Sequence, residues 1–188
     1  MPAVETTTID ANKQPPHPSG STKRGGSSLT RRDFFAEVVV ELRRLLPQEL
    51  ARFRQRANSS LLKLDFGNER VHYEVWADSM RQQIEIGLHF EDGPVSTAAY
   101  LALFDTHIVE IKHHLGAEIE LERWTASWGH LFAIMPLARL DARLVDEVAR
   151  RLAALIEVTH PLVAASAIPP ERSAEPAERR GPWRKWRR

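Results

Sequence analysis

The sequence predicts an α+β fold in which a five-stranded, mainly antiparallel sheet carries its helices mainly on one face. The first observation is that hydrophobic residues repeat with a period near 3.6 in three long segments and near 2 in five short ones. The second is the order of these segments, which is helix, three strands, helix, two strands, helix. An antiparallel sheet with one covered face buries every apolar stripe that this order produces.

The central helix is predicted over residues 96–116, where apolar side chains recur every three or four positions. Ser96 or Thr97 is suited to cap its first turn, and Gly116 is suited to end it. A last helix is predicted over about 142–159 from the same spacing. The strands on either side of the central helix would be covered by its apolar stripe.

The first helix should begin near Arg31, after an N-cap at Thr30, and Pro47 should break it. A shorter helical piece carrying Leu50 and Phe53 is predicted to follow. This region is basic, and we interpret its charges as a solvated face rather than as a nucleic-acid contact. The basic residues are Arg43, Arg44, Arg52, Arg54 and Arg56.

Five segments alternate between apolar and polar residues and are predicted to be strands. They span residues 61–66, 71–77, 84–90, 118–124 and 130–135. In the second segment His72, Glu74 and Trp76 face away from the apolar side, and in the third Glu85 and His89 do so. One face of the sheet should therefore be core and the other polar.

The chain is predicted to be one α+β domain at residues 29–167 between two disordered tails, at 1–28 and 168–188. Its composition, 43% apolar and 27% charged, is typical of a soluble protein, and no apolar run reaches the roughly 20 residues that span a bilayer. The absence of cysteine excludes disulfides and thiolate sites. Together with the lack of a secretory signal pattern, this leads us to expect a cytoplasmic location.

The formal net charge of +1 hides a strong division along the chain. Residues 60–125 hold twelve acidic and five basic side chains, a net charge of −7, whereas the last ten residues hold six basic and no acidic ones. Because exposed charges act over roughly 8 Å at physiological salt, these regions should behave separately. The middle of the chain is acidic and its end strongly basic.

Several segments resemble a known domain when they are taken together. They are IEIGLHFE, a helix containing LFDTHIVEIKHHLG, then AEIELERW and SWGHLFAIMP. This run, at about residues 82–165, resembles an uncharacterised bacterial domain that is often attached to restriction-endonuclease-like nuclease domains. The resemblance implies no known activity and no catalytic residues. The order of elements is also similar to that of type III secretion chaperones, which bind other proteins and have no enzymatic activity.

Enzymatic activity is not expected. A nuclease core of the restriction-endonuclease type needs an acid and, two residues later, a lysine, but Glu85 is followed by Ile86 and Gly87. The Glu-x-Lys at Glu110 and Lys112 falls in the central helix. The sequence also has no phosphate-binding loop outside the predicted tail, no serine elbow and no thiol nucleophile. We therefore predict a non-enzymatic protein without a cofactor.

Two sets of residues could hold a metal ion, but we interpret both as solvated side chains and predict no metal site. One set lies on a flank of the central helix and lacks a fourth ligand. It comprises His107, Glu110 and His114. The other set could meet across strands on the polar sheet face, at a register that the sequence leaves open. It comprises His72, Glu74, Glu85 and His89.

Two surfaces are candidates for binding a macromolecule. The polar sheet face combines acids with tryptophans that could anchor a basic protein partner or a second copy of the chain. Its residues are Glu74, Trp76, Glu85, Glu118, Glu120, Glu122 and Trp124. The C-terminus could bind nucleic acid or an anionic lipid surface. Its residues are Trp183, Arg184, Lys185, Trp186, Arg187 and Arg188.

These observations favour a binding module for a macromolecular partner, in the first place a protein, and a homodimer is one form of it. The alternative is a nucleic-acid-associated accessory protein of a restriction or defence system that uses the basic-aromatic end. The acidic middle of the chain favours the first hypothesis. The basic end favours the second.

Overall fold

The computed structural model describes residues 28–170. The basic-aromatic end at 183–188 lies outside the described residues, as do nearly all of the two predicted tails. The helices are α1 (Arg31–Leu45), α2 (Pro94–Leu115) and α3 (Ala142–Ala165). The strands are β1 (Arg54–Ala57), β2 (Leu61–Asp65), β3 (Val71–Asp78), β4 (Gln83–Phe90), β5 (Glu120–Thr125) and β6 (Trp128–Pro136).

The strands form a single antiparallel sheet in the order β1-β2-β3-β4-β6-β5. The α+β class is confirmed, but the prediction of five strands is wrong, because β1 is a sixth strand. The helical piece expected at Leu50 and Phe53 is only a turn at 48–51, and β1 follows it. All four residues of β1 are exposed, so it lacks the apolar alternation of a half-buried strand. Pairing with β2 and the Arg54 guanidinium, 2.6 Å from Asp65 Oδ1, hold it in the sheet.

The ends of α1 agree with the sequence prediction. The Thr30 hydroxyl accepts a hydrogen bond from the amide of Asp33 at 3.2 Å, which satisfies one of the free amides of the first turn. The helix ends at Leu45, just before Pro47. Five of its side chains are buried against the core, namely Phe34, Phe35, Val38, Val39 and Leu42.

The start of α2 differs from the prediction of a cap at Ser96 or Thr97. The helix begins at Pro94, because proline suits the first helical position and Gly93 before it adopts a φ of 94°. The Thr97 hydroxyl donates instead to the carbonyl of Ser127, at 2.8 Å. At the other end, Gly116 has a φ of 114° and caps the helix, as predicted.

Helix α3 is longer than predicted and continues past Pro161 to Ala165. Proline removes one helical hydrogen bond, but Val158 and Leu162 on either side of it pack against the core. Complete burial of a valine or leucine side chain stabilises the folded state by about 1.5–3 kcal/mol. The packing of Val158 and Leu162 therefore offsets the loss of the helical hydrogen bond at Pro161.

The three helices cover the same face of the sheet, which is the apolar one. Phe90 of β4 stacks on Tyr100 and Phe104 of α2, with ring centroids 5.2 and 5.3 Å apart. The Tyr73 hydroxyl of β3 lies 2.9 Å from that of Thr159 on α3. The predicted alternation is confirmed in β3 and β4, so the polar residues of these strands lie on the opposite face, here called the outer face.

None of the helices among residues 28–170 has the length and apolarity that crossing a membrane requires.

Candidate functional site

The register of the sheet places three histidines side by side on the outer face. His72 of β3 pairs with His89 of β4, and His89 pairs with His130 of β6. Their ring centroids are 5.7 Å apart for the first pair and 5.1 Å for the second. Side chains on neighbouring strands at paired positions point to the same face, so the three imidazoles form one row.

Two glutamates complete this group, which we call the His–Glu cluster. It comprises His72, Glu74, Glu85, His89 and His130, and each residue is between 1% and 6% exposed. The expectation that these side chains are solvated is therefore wrong. Because burying a charged group is costly unless it is paired, the internal contacts of the cluster decide what it can do.

One half of the cluster contains the ammonium group of Lys63, which projects from β2. Its Nζ lies 2.6 Å from Glu74 Oε1 and 2.9 Å from His72 Nε2, and 3.7 Å from Glu91 Oε2. His72 Nε2 is also 2.8 Å from Glu74 Oε1. The buried negative charge of Glu74 is thus neutralised by a cation that belongs to the chain itself. We call this group the lysine half.

The other half, here called the open half, consists of Glu85, His89 and His130. Glu85 Oε1 lies 3.5 Å from His89 Nε2 and 3.3 Å from His130 Nδ1. Both nitrogens are buried and neither makes a hydrogen bond, because the contacts are not aligned for one. On the far side of the ring, His130 Nε2 faces Glu122 Oε2 at 3.6 Å.

The electrostatics of the cluster favour negative carboxylates around a positive centre. Burial raises the pKa of Glu74, but the nearby His89, His72 and Lys63 outweigh it and bring that pKa below its usual range. Burial likewise raises the pKa of Glu85, yet His130 and His89 lower it overall. For His89 burial lowers the pKa, and the carboxylates of Glu74, Glu85 and Glu91 more than compensate, so that its pKa is raised.

Aromatic rings enclose the open half. The indole of Trp124 lies 4.1 Å from the His130 ring and 5.7 Å from the His89 ring, between centroids. Phe132 stacks on His130 at 4.0 Å with an interplanar angle of 11°. These contacts fix the orientation of the imidazoles on rigid strands, which is a requirement for a preorganised binding site.

The residues predicted to bind a partner fall into four places. Glu74 and Glu85 are buried inside the His–Glu cluster, and Trp124 is half-buried against it. Glu120 and Glu122 are exposed on β5, at the edge of the sheet. The two others lie apart. Trp76 lines a surface groove of about 710 Å³ near the β3–β4 turn, and the carboxylate of Glu118 lies 3.5 Å from Arg151 on α3.

The sequence analysis missed His130 and Lys63. His130 begins an alternating series with Phe132 and Ile134, which is typical of a strand whose second face is apolar. Only the pairing of β6 with β4 shows that His130 lies beside His89. Lys63 likewise becomes relevant only because β2 pairs with β3 opposite Glu74.

The other candidate for a metal site was the flank of the central helix with His107, Glu110 and His114. His107 Nδ1 lies 3.7 Å from Glu110 Oε2. Within the part of the chain that the structure describes, the groups of side chains that could hold an ion are both in or beside the His–Glu cluster, and none includes a residue of α2.

The basic region around α1 and β1 forms ion pairs with neighbouring acids. Arg44 lies 2.5 Å from Glu41, and Arg56 lies 2.6 Å from Glu69. Arg43 lies over the ring of Phe53, 4.9 Å from its centroid. The interpretation of these charges as a solvated face rather than a nucleic-acid contact stays a prediction.

A scan against models of known protein families finds no match for the chain, and a comparison with curated proteins finds none either. The resemblance to the nuclease-associated bacterial domain stays a prediction, and so does the similarity to type III secretion chaperones.

Proposed function

We propose that the protein is a non-enzymatic binding module whose β5 edge holds an extended, basic segment of a protein partner. The observation that carries this proposal is the position of two exposed acids, Glu120 and Glu122, on a strand that pairs only with β6 among the described strands. Trp124 follows them on the same strand and is half-buried.

An edge strand is suited to this role because its outer backbone groups have no neighbouring strand to pair with. An extended peptide can add to such an edge through main-chain hydrogen bonds, while its side chains select the site. Acidic side chains beside an indole would attract a basic segment and give it an apolar anchor.

The two edges of the sheet differ in how their charges are balanced. On β1 the guanidinium groups of Arg54 and Arg56 lie 2.6 Å from Asp65 and Glu69, respectively. On β5, no ion pair of Glu120 with another described residue is found, and Glu122 faces only His130. Since the acidic edge keeps its charge available, it is the better site for a partner of opposite charge.

A second copy of the chain is a weaker candidate for the partner. Its β1 edge is basic and would complement β5, but a contact between two different edges repeats without closing and leads to open-ended assemblies.

The non-enzymatic part of the proposal follows from the sequence, in which the residues of a nuclease core or a thiol nucleophile are missing. A cytoplasmic location belongs to the proposal because the chain has no cysteine to form disulfides.

The test is the binding of a labelled, strand-forming peptide with alternating lysines, measured by fluorescence anisotropy with the full chain. We expect charge reversal by Glu120→Lys with Glu122→Lys to weaken binding at least about tenfold, a loss of roughly 1.4 kcal/mol. The matched control is Glu37→Lys with Glu157→Lys, which reverses two exposed acids on helices. Equal binding by both double variants, or no binding by the parent, would reject the β5 edge as the site.

The alternative, a nucleic-acid-associated accessory protein, is favoured by the six basic residues among the last ten. It predicts that the full chain binds DNA or RNA and that a version ending at Ala167 does not. Neutralising about four phosphates should give a slope of roughly −3 to −4 in a log–log plot of affinity against salt. Equal binding by the two lengths of chain would exclude the C-terminal segment as the nucleic-acid site.

A further inference from the structure

We propose that Glu85, His89 and His130 bind a divalent transition-metal ion, with zinc as the best fit. The ligand atoms would be Glu85 Oε1, His89 Nε2 and His130 Nδ1. This site goes beyond the proposed partner-binding function, because its three ligands lie on β4 and β6; of the acids on the β5 edge, only Glu122 faces it.

Two of the three distances between the ligand atoms match those around a tetrahedral ion, and the third, between the two histidine nitrogens, is within 4.8 Å. Ligands bound to zinc at 2.0–2.1 Å in a tetrahedron lie about 3.3–3.4 Å from one another. The contacts of Glu85 Oε1 with His130 Nδ1 and His89 Nε2 are 3.3 and 3.5 Å. An octahedral ion with bonds of about 2.1 Å would need neighbouring ligands about 3.0 Å apart, which is less than either contact.

The nitrogens of the open half are the second observation that points to a ligand. His89 Nε2 and His130 Nδ1 have no hydrogen-bond partner, although these residues are only 2% and 1% exposed. Buried polar atoms in folded proteins are almost always paired, and an orphaned one calls for an explanation such as an ion. A metal ion would replace the proton that the acidic neighbours favour on His89, which is released to solvent, and would accept a lone pair from each nitrogen while it neutralises Glu85.

The sheet also leaves room beside these nitrogens. Gly87 lies on the outer face between Glu85 and His89, and a Cβ at this position would be 3.2 Å from His89 Nε2 and 3.0 Å from the Cβ of Phe132. The φ of Gly87 is outside the left-handed region, so the backbone does not need a glycine there. What glycine provides at this position is space next to a proposed ligand.

The neighbouring lysine half is not a second metal site in this conformation. The four residues His72, Glu74, His89 and Glu91 are close enough to hold an ion, with their ligand atoms within 4.8 Å of one another. However, Lys63 Nζ is already 2.6 Å from Glu74 and 2.9 Å from His72. A metal ion would have to displace that ammonium, so we assign one ion per chain.

The surroundings of His130 are typical of a metal ligand. Metal-binding histidines usually turn their second ring nitrogen towards a carboxylate, which orients the ring. The second nitrogen of His130, Nε2, faces Glu122 at 3.6 Å, and a small rotation of this exposed carboxylate would form the hydrogen bond. Three protein ligands leave a fourth position on a tetrahedral ion for water or another small donor.

The test uses the full chain after treatment with a chelator, titrated with zinc chloride alone and followed by calorimetry. We expect one ion per chain. Titration with cobalt(II) chloride gives an independent readout, because tetrahedral cobalt absorbs visible light much more strongly than octahedral cobalt. No binding of zinc by the parent protein would overturn the proposal, and so would a cobalt spectrum of the octahedral type.

Variants locate the ion. Glu85→Gln and His130→Gln should each weaken zinc binding by about 100-fold or more, since even residues behind the ligands typically contribute 10–100-fold. The matched control is His107→Gln with His114→Gln on α2, which should leave the affinity unchanged. Zinc binding by Glu85→Gln at parental affinity would overturn the proposal. The cobalt spectrum of the parent keeps the proposal testable if a variant fails to fold.

Discussion

The two halves of the His–Glu cluster lie side by side on the same sheet face, with His89 Nε2 of the open half 3.7 Å from Glu74 Oε2 of the lysine half, but they balance their buried carboxylates differently. In the lysine half, the cation is a side chain, Lys63, whose Nζ is 2.6 Å from Glu74. In the open half, Glu85 has only the two imidazoles of His89 and His130 as partners among the described residues. Two buried glutamates on one sheet face thus have different roles. Glu74 belongs to a structural ion pair, whereas Glu85 is a candidate metal ligand.

The difference has an energetic basis. A buried ion pair contributes little net stability, yet removing one of its members leaves a charge unpaired at a cost of about 3–5 kcal/mol. In the lysine half the charge of Glu74 is already paired with Lys63, although Glu74 Oε2 and His72 Nδ1 make no hydrogen bond. In the open half Glu85 has only imidazoles as partners among the described residues, and His89 Nε2 and both ring nitrogens of His130 make no hydrogen bond. A metal ion bound there would supply the charge that Lys63 supplies next to it.

The largest effect should follow from Lys63→Met, which removes the cation of the lysine half. Glu74, only 2% exposed, would lose its closest positive partner. Because the Lys63 side chain is itself 34% exposed, we expect a loss of about 2–4 kcal/mol, measured by urea denaturation. Lys112→Met, on the exposed side of α2, is the control and should change stability by less than about 0.5 kcal/mol.

The same variant also separates the two halves. Glu85 and His130 make no contact with Lys63, so zinc binding by the open half should survive the substitution. The substitution also removes the ammonium that keeps an ion out of the lysine half, so Lys63→Met is compared with the same variant carrying Glu85→Gln as well. A destabilised Lys63→Met protein that still binds zinc, and that binds one ion fewer with Glu85→Gln added, would establish that the open half does not depend on Lys63. Unchanged stability would show instead that Lys63 is not the structural cation of Glu74.

The next effect should come from Gly87→Ala, which adds a methyl group beside His89. The close contacts with Phe132 and His89 predict a loss of about 1–3 kcal/mol, together with weaker zinc binding. Gly67→Ala, in the β2–β3 turn away from the open half, is the control, because alanine is strained at its φ of 111° while nothing lies within 4 Å of the added methyl group. The control should lose stability but keep its affinity for zinc. Equal zinc affinity in both variants would argue against the space beside Gly87 as part of the site.

The composition of the outer face could be predicted from the sequence, whereas its geometry could not. An alternation of period 2 is a local property, and it correctly placed His72, Glu74, Glu85 and His89 on the polar face. Which strands become neighbours depends on the whole sheet. The sequence places β5 before β6, but β6 is the strand that pairs with β4, and this brings His130 to His89.

Two further features could not be predicted from local sequence patterns, namely the burial of the outer-face residues and the existence of β1. Polar residues on one side of a strand normally indicate contact with water, yet Glu74 and His89 are each 2% exposed. Strand β1, with the sequence RQRA, carries no apolar signal, because backbone pairing with β2 and the contact of Arg54 with Asp65 hold it without a buried side chain. Both features depend on partners that are distant along the chain.

The smallest effect concerns His160, which lies outside the His–Glu cluster and whose pKa is shifted in the opposite direction to that of His89. The ring of His160 on α3 lies 4.0 Å from that of Phe66, and burial lowers the pKa of His160, whereas acidic neighbours raise that of His89. A lowered pKa in the folded state means that the unfolded chain binds the proton more readily. The stability that His160 contributes is therefore fully present above the unfolded pKa of about 6.5 and is lost as the pH falls below it towards the folded pKa.

Replacing His160 by glutamine should remove this contribution to the pH dependence. Urea midpoints measured at neutral and at mildly acidic pH should therefore fall less on acidification in His160→Gln than in the parent. His113→Gln, an exposed histidine of α2, is the control and should follow the parent. If the parent and His160→Gln lose equal stability on acidification, the folded protein accepts the protonated ring of His160 beside Phe66. Burial of a histidine away from acidic side chains would then not be enough to lower its pKa.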